Sequence, residues 1–249
     1  MRFLKKLILF TLLVLFAGAA VFGGRLVWQG YQIYKQVTGE VPISQKVAQI
    51  RAIPHYTTLD ELPDIYKEAV VAVEDSRFYK HGGFDLISTG RAVIINLREG
   101  ELAEGGSTIT QQLAKNMYFT QEKKFLRKVA ELFVAFDLER DYTKDEILEL
   151  YLNTIYFGSG YYCVYDAAEG YFGKEPSQMT DYESTLLAGI PNAPSVYSLT
   201  NSPTLAAQRQ RTVLECMVEQ DYITQKQADA ILAEGEIRQN GEIQQAGEE

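Results

Sequence analysis

Residues Leu7 to Gly24 form an unbroken stretch of eighteen without a charged side chain, close to the start of the chain. As a helix such a stretch rises about 27 Å, near the hydrocarbon thickness of a bilayer. Arg2, Lys5 and Lys6 precede it and Arg25 closes it. Positive charge ahead of a span keeps that end in the cytoplasm. The sequence therefore predicts a cytoplasmic segment 1–6, a transmembrane signal-anchor helix 7–28 and everything after it outside the cell: a single-pass protein of the cell membrane with an extracytoplasmic body. Trp28, Tyr31 and Tyr34 suit the aromatic belt at the far interface. A cleaved signal peptide is the competing reading, with Ala17-Gly18-Ala19-Ala20 as its small-residue site. The apolar run is longer than a usual signal core, which favours retention. Residues 29–46 read as a juxtamembrane stalk.

Roughly 190 residues then remain for one well-cored domain. Helical signals dominate them. Ala69, Val70, Ala72 and Val73 make an apolar face; Thr143 and Glu146 form a capping box ahead of Ile147, Leu148, Leu150 and Tyr151; Ser184 to Ile190 reads as a buried helix that stops before Pro191; Thr204 to Leu232 keeps helical period. The stretch 234–249, rich in Glu, Gln and Gly, reads as a disordered polar tail. The net charge of −9 excludes a general nucleic-acid binder, which carries the opposite balance. With two histidines and two cysteines, and no C-x-x-C or H-x-x-x-H spacing, no zinc motif is visible. Cys163 and Cys216 are read as core thiols, with a disulfide as the alternative.

Four constellations carry chemistry. An apolar helix face runs directly into Glu74-Asp75; a carboxylate at a helix C-terminus meets the negative end of the dipole, which raises its pKa and makes it a better base. The plainer reading is an exposed acidic turn. Gly105-Gly106-Ser107-Thr108 starts a helix that continues through Gln111, Gln112 and Lys115, so backbone N–H groups and hydroxyls are set for an anion; the plainer reading is N-capping by Ser107. The order of a P-loop is absent. Lys115 to Lys128 holds five cations, Lys115, Lys123, Lys124, Arg127 and Lys128, against the single acid Glu122, interleaved with Phe119, Phe125 and Leu126. That mixture suits an anionic lipid head group, or a solvated helix face. Glu131 sits in an apolar helix four residues after Arg127 and three after Lys128. It reads equally as an ordinary ion pair or as a second site carboxylate.

Together these segments resemble the peptidoglycan glycosyltransferases, family 51 of the sugar transferases, which also form the N-terminal part of bifunctional penicillin-binding proteins. The resemblance rests on Glu74-Asp-x-x-Phe78-x-x-His81-x-Gly83-x-Asp85, on Gly105-Gly-Ser-Thr-Ile-Thr-Gln-Gln-Leu-Ala-Lys115-Asn116 and on Arg127-Lys-x-x-Glu131. Lys144 to Asn153 with Tyr156-Phe-Gly158, and Ala188-Gly-Ile-Pro191-Asn-Ala-Pro194-Ser-Val-Tyr197, complete it. It covers about residues 50–232, the motifs falling in order. It implies a mainly α, lysozyme-like, two-lobed helical domain over 47–233, with one lobe dipping into the membrane. It implies Glu74 as general base and Glu131 as the second essential carboxylate. Asp75, Phe78, Ser107, Gln112, Lys115, Asn116, Lys123 and Arg127 are carried over as substrate-binding residues. Lys123 stands where the family often has Arg, so the charge is kept but not the bidentate fork. Where the family usually reads Gly-Val/Ile-Glu-Ala-Ala this chain has Cys163-Val-Tyr165-Asp166-Ala-Ala, so Cys163 replaces a glycine, and Leu199 stands where proline is common.

The activity implied is polymerisation of lipid II into β-1,4-linked glycan strands, with inversion and release of undecaprenyl pyrophosphate. The partners implied are lipid II, the growing glycan-lipid chain and the membrane. The resemblance leaves room for a divalent cation, magnesium or manganese, with no metal ligands assigned. Ser-x-x-Lys, Ser-x-Asn and Lys-Thr-Gly do not occur, so the reading is of a monofunctional enzyme whose strands are cross-linked by a separate transpeptidase or other wall-synthesis proteins. Two rivals use the same residues: a lysozyme-like glycan hydrolase, and a catalytically inactive membrane-anchored scaffold.

Overall fold

The computed structural model describes residues 2–99, 105–119 and 125–246. Among them the chain is built of helices, and the single β-type contact is an isolated bridge between Gly82 and Phe84. Helix α1 runs unbroken over Arg2–Glu40. Its apolar stretch lies fully outside the body of the protein, with Phe3, Leu9, Phe10, Phe16 and Phe22 all exposed, as a bilayer-spanning segment requires.

The expected stalk is instead the continuation of α1. At 39 residues the helix is about 58 Å long, roughly twice a bilayer's hydrocarbon core. Its outer half is docked: Tyr31 and Tyr34 pack on Phe133, and the Tyr34 hydroxyl donates to Asp137 at 2.5 Å. These tyrosines make protein contacts, which is why the segment keeps its helix beyond the span.

The body divides into two groups. In the first, α3 (Asp64–Glu74) packs on α9 (Asp181–Gly189) and α11 (Pro203–Glu219), and these two pack on each other. In the second, α5 (Ile109–Tyr118) lies between α6 (Phe125–Asp141) and α7 (Lys144–Leu152), with α1 along the outer side of α6. Helices α2 (Ile43–Arg51), α4 (Leu86–Glu99), α8 (Val164–Phe172), α10 (Pro194–Tyr197) and α12 (Gln225–Ala246) complete the mainly α, two-lobed architecture.

The core is where the periodicity placed it. Tyr66, Val70, Leu113, Leu138, Ile147, Leu150 and Leu187 are buried, each from the apolar stripe of its helix. The predicted capping box is present: the Thr143 hydroxyl accepts from the Glu146 N–H and the Glu146 carboxylate from the Thr143 N–H. Cys163 caps α8 in an ordinary extended conformation (φ −146°), its sulfur accepting the Asp166 N–H at 3.4 Å, so replacement of a glycine there costs no backbone strain. Cys163 and Cys216 are both free thiols. One expectation fails at the C-terminal end. Helix α12 continues to Ala246, through most of the stretch assigned to a disordered tail. Glu, Gln and Ala are good helix formers as well as disorder-prone residues, and the helix is tied down where Thr180 donates to Glu234 and Tyr182 covers Gly235.

Candidate active site

Between the two groups lies a cleft of about 630 Å³, and Glu74 is on its wall. The residue is half-buried at the last position of α3. Its Oε2 accepts a hydrogen bond from the Gln112 amide at 2.7 Å, while Oε1 is buried without a partner. Burial pushes the carboxyl's pKa up; the Gln112 hydrogen bond and the charges of Arg209 and Lys115 pull the other way, and the neighbouring Asp75 adds to the rise. The plainer reading, an exposed acidic turn, is excluded by this burial.

Asp75 also borders the cleft, yet its carboxylate is committed elsewhere. At 7% exposure it lies 2.9 and 3.0 Å from His81 Nε2, and it accepts the Ile109 N–H at 3.0 Å. It thus ties the end of α3 to the start of α5, the helix that carries Gln112.

The glycine-led start of α5 differs from the sequence expectation in a way that matters for anions. The N-cap is Thr108, whose hydroxyl accepts the Gln111 N–H and donates to the Gly83 carbonyl. Gln111 in turn accepts the Thr108 N–H, and Asp75 the Ile109 N–H. The N–H groups of Thr108, Ile109 and Gln111 are therefore spent on protein acceptors, and the helix start is not an open anion cradle. Ser107, released from capping, accepts Lys128 Nζ at 2.6 Å across the cleft.

Attraction for an anion falls instead to side chains. Lys115 is half-buried in the cleft and has no ion-pair partner among the described residues. Burial lowers its pKa, and Arg127 and Lys128 lower it further, whereas Glu131 and Glu74 raise it, so this amine sees both carboxylates. Glu131 is 1% exposed and paired with Arg127 Nε at 2.9 Å and Lys128 Nζ at 3.3 Å. The alternatives left open for Glu131 converge: it is an i,i+4 and i,i+3 ion pair, and it is also on the cleft wall.

Glu74, Asp75, Ser107, Gln112, Lys115 and Glu131 thus come together, with Arg127 behind Glu131. Two residues do not join them. Phe78 has no exposed surface; it is core, with the Lys144 ammonium 4.4 Å above its ring, and offers a substrate nothing to touch. Asn116 points to solvent away from the cleft. Lys123 lies outside the described residues. The sequence reading missed the facing wall: Arg209, Thr212, Cys216 and Glu219 of α11, Asn192 beside them, and Ser88 and Arg91 of α4. The α11 residues recur at helical spacing along the edge of the stripe of buried Ala206, Val213, Leu214 and Met217, a flanking polar stripe that periodicity could have isolated.

One trio, Asp75, His81 and Asp85, has ligand atoms within 4.8 Å of one another. It does not fit a further cation. Asp85 accepts from Arg77, from Ile87 and from both the hydroxyl and N–H of Ser88; against the upward push of burial, these bonds hold its pKa at about 2. With Asp75 likewise engaged, no carboxylate oxygen is open to a hard metal ion.

The family model for transglycosylase matches residues 43–218. Penicillin-binding protein 1F of Bacillus subtilis is 48% identical over 178 residues, covering 72% of this chain and 25% of the relative. Penicillin-binding protein 1A of Vibrio cholerae is 40% identical over 248 residues, 94% of this chain and 30% of the relative. A Cupriavidus necator protein that carries a provisional transglycosylase name is 42% identical over 195 residues, covering 78% of this chain and 84% of the relative. The chain spans about a quarter to a third of the two penicillin-binding proteins.

Proposed function

The chain belongs to the transglycosylase family, and from that premise we propose that it is a membrane-anchored peptidoglycan glycosyltransferase that polymerises lipid II. The observation that carries the reading is Glu74 on the cleft wall, whose Oε1 has no hydrogen-bond partner among the described residues, in the same cleft as Lys115, whose ammonium has no ion-pair partner among them. A base needs a bare oxygen and a raised pKa; a departing pyrophosphate needs fixed positive charge beside it.

In this mechanism Glu74 takes the proton from the 4-hydroxyl of an acceptor N-acetylglucosamine. The oxygen attacks C1 of the donor N-acetylmuramic acid from the face opposite the leaving group, the C1–O bond to the pyrophosphate breaks, and the new link is β-1,4. Undecaprenyl pyrophosphate departs with the bonding pair. Lys115 and Lys128 stabilise the negative charge that develops there. Glu131 keeps Arg127 and Lys128 aligned, and Gln112 orients Glu74 while leaving Oε1 free. The cleft's own cations supply countercharge. Helix α1 anchors the enzyme by a single pass, with the cleft on the extracytoplasmic side where lipid-linked sugar is presented.

Incubation of the purified full chain with labelled lipid II in detergent, followed by resolution of glycan lengths, tests the reading. A ladder of glycan chains with release of undecaprenyl pyrophosphate is expected. Sugar release from finished peptidoglycan, with no product from lipid II, would replace the polymerase by a hydrolase.

A further inference from the structure

Helix α6 has two working faces. Lys128 and Glu131 look into the cleft, where Lys128 reaches Ser107. Leu126, Val129, Phe133 and Asp137, spaced by three, four and four residues, form a second stripe. That stripe is covered by α1. Phe133 packs against Tyr31 and Tyr34 with ring centroids at 5.3 and 5.6 Å, and Asp137 accepts the Tyr34 hydroxyl. At Gly30 the two backbones come so close that a Cβ would lie 2.5 and 2.6 Å from the Cγ1 and Cβ of Val129 and 3.3 Å from the Leu126 carbonyl oxygen. The other glycines of α1, Gly18, Gly23, Gly24 and Gly39, have nothing within 4 Å of such an atom. A glycine in a helix interior is unfavourable, and only Gly30 has packing that requires it.

We propose that Gly30 is a positioning residue for glycosyl transfer: it seats the anchor helix against the back of α6, and that contact sets where Lys128 and Glu131 stand in the cleft. The membrane helix is then part of the active-site scaffold as well as a tether. The inference rests on the polymerase reading for its rate measurements. Its geometric basis is independent: the cleft face and the anchor face belong to one rigid helix, so displacement of α6 at Val129 shifts Lys128, its immediate neighbour, relative to Ser107.

The test compares alanine at three glycines of the same helix, in the full chain reconstituted in nanodiscs with lipid II. Gly23→Ala and Gly39→Ala should polymerise at the wild-type rate. Gly30→Ala should lower kcat by roughly tenfold to a hundredfold, the scale of an ångström-sized misplacement of charged groups, with KM moved far less. Val129→Gly combined with Gly30→Ala removes both close contacts and should recover most of the rate. Tyr34→Phe, which adds no bulk, should lower kcat in the same direction by a smaller factor. Affinity for undecaprenyl pyrophosphate in the same nanodiscs, measured without turnover, should weaken in Gly30→Ala alone among the three alanine variants. Equal kcat for Gly30→Ala and Gly23→Ala, or a loss confined to KM, overturns the proposal. A wild-type chain that makes no glycan overturns the polymerase reading instead; the pyrophosphate-affinity comparison then decides the positioning claim by itself.

Discussion

Asp75→Asn offers a quantitative test of how Glu74, the proposed base, is held. Asp75 is 7% exposed and accepts from His81 Nε2 and from the Ile109 N–H. Oδ2 meets both the Ile109 N–H and His81 Nε2, so an asparagine whose oxygen takes that place keeps the Ile109 bond, while its N–H₂ group stands where Oδ1 met His81 Nε2 and the charge that strengthens these bonds is gone. A hydrogen bond to a charged group contributes about 1.5–3 kcal/mol, and an uncompensated buried partner costs about 1–3 kcal/mol. A net loss of roughly 2–4 kcal/mol follows, short of the 3–5 kcal/mol for a broken buried ion pair because one bond survives. For a domain of this size each kcal/mol lowers Tm by about 2–4 °C, so a fall of roughly 5–15 °C is expected in detergent. Ile109 begins α5, and α5 carries Gln112 to Glu74, so polymerisation assayed well below the new Tm should also fall, by roughly tenfold or more. A Tm within about 2 °C of wild type together with an unchanged rate would refute the tie between α3 and α5, since that is the range of substitutions away from any structural feature.

Removal of the Gln112 bond by Gln112→Leu takes away a contribution that lowers the Glu74 pKa. A base works only when deprotonated, so activity is lost as pH falls through its pKa, and the acid limb of the kcat/KM profile should move to higher pH; an unmoved limb argues against Glu74 as the titrating base. In the wild type, burial places that limb above the ordinary glutamate value of about 4.3. Phe78→Ala should cost about 3–5 kcal/mol of stability, seen as a lowered Tm, with KM for lipid II unchanged in the fraction that remains folded. A raised KM without loss of stability would restore Phe78 as a substrate contact.

Much of this molecule could be read from periodicity and local chemistry. The apolar run from Leu7, the stripe around Val70 and the Thr143–Glu146 box each specify a local helix, and each is present. Glu74 at a helix end and Glu131 one turn from two cations were equally local. What escaped was set by tertiary contact. Ser107 and Thr108 are both competent caps, and only the packing of Thr108 on the Gly83 carbonyl decides between them. Phe78 belongs to a site motif in sequence but to the core in space, because nothing local distinguishes a ring that touches substrate from one that supports the loop beneath it. The α11 wall with Arg209 and Thr212 comes from a helix distant in sequence, brought to Glu74 by packing on α3 and α9. The stalk is helical because Phe133, a hundred residues on, covers its tyrosines.

In the proposed mechanism Glu74 Oε1 removes the acceptor proton in glycan polymerisation. The most direct test of that step is the initial rate of glycan formation from lipid II by the Glu74→Gln chain, beside wild type, with Tm recorded for both. Glutamine keeps the shape and still accepts from Gln112, but it cannot take a proton. The expected result is a wild-type Tm with polymerisation lost by at least about a hundredfold, the lower end of what a positioned base contributes. Glycan made by Glu74→Gln at a rate near wild type would rule out Glu74 as the base.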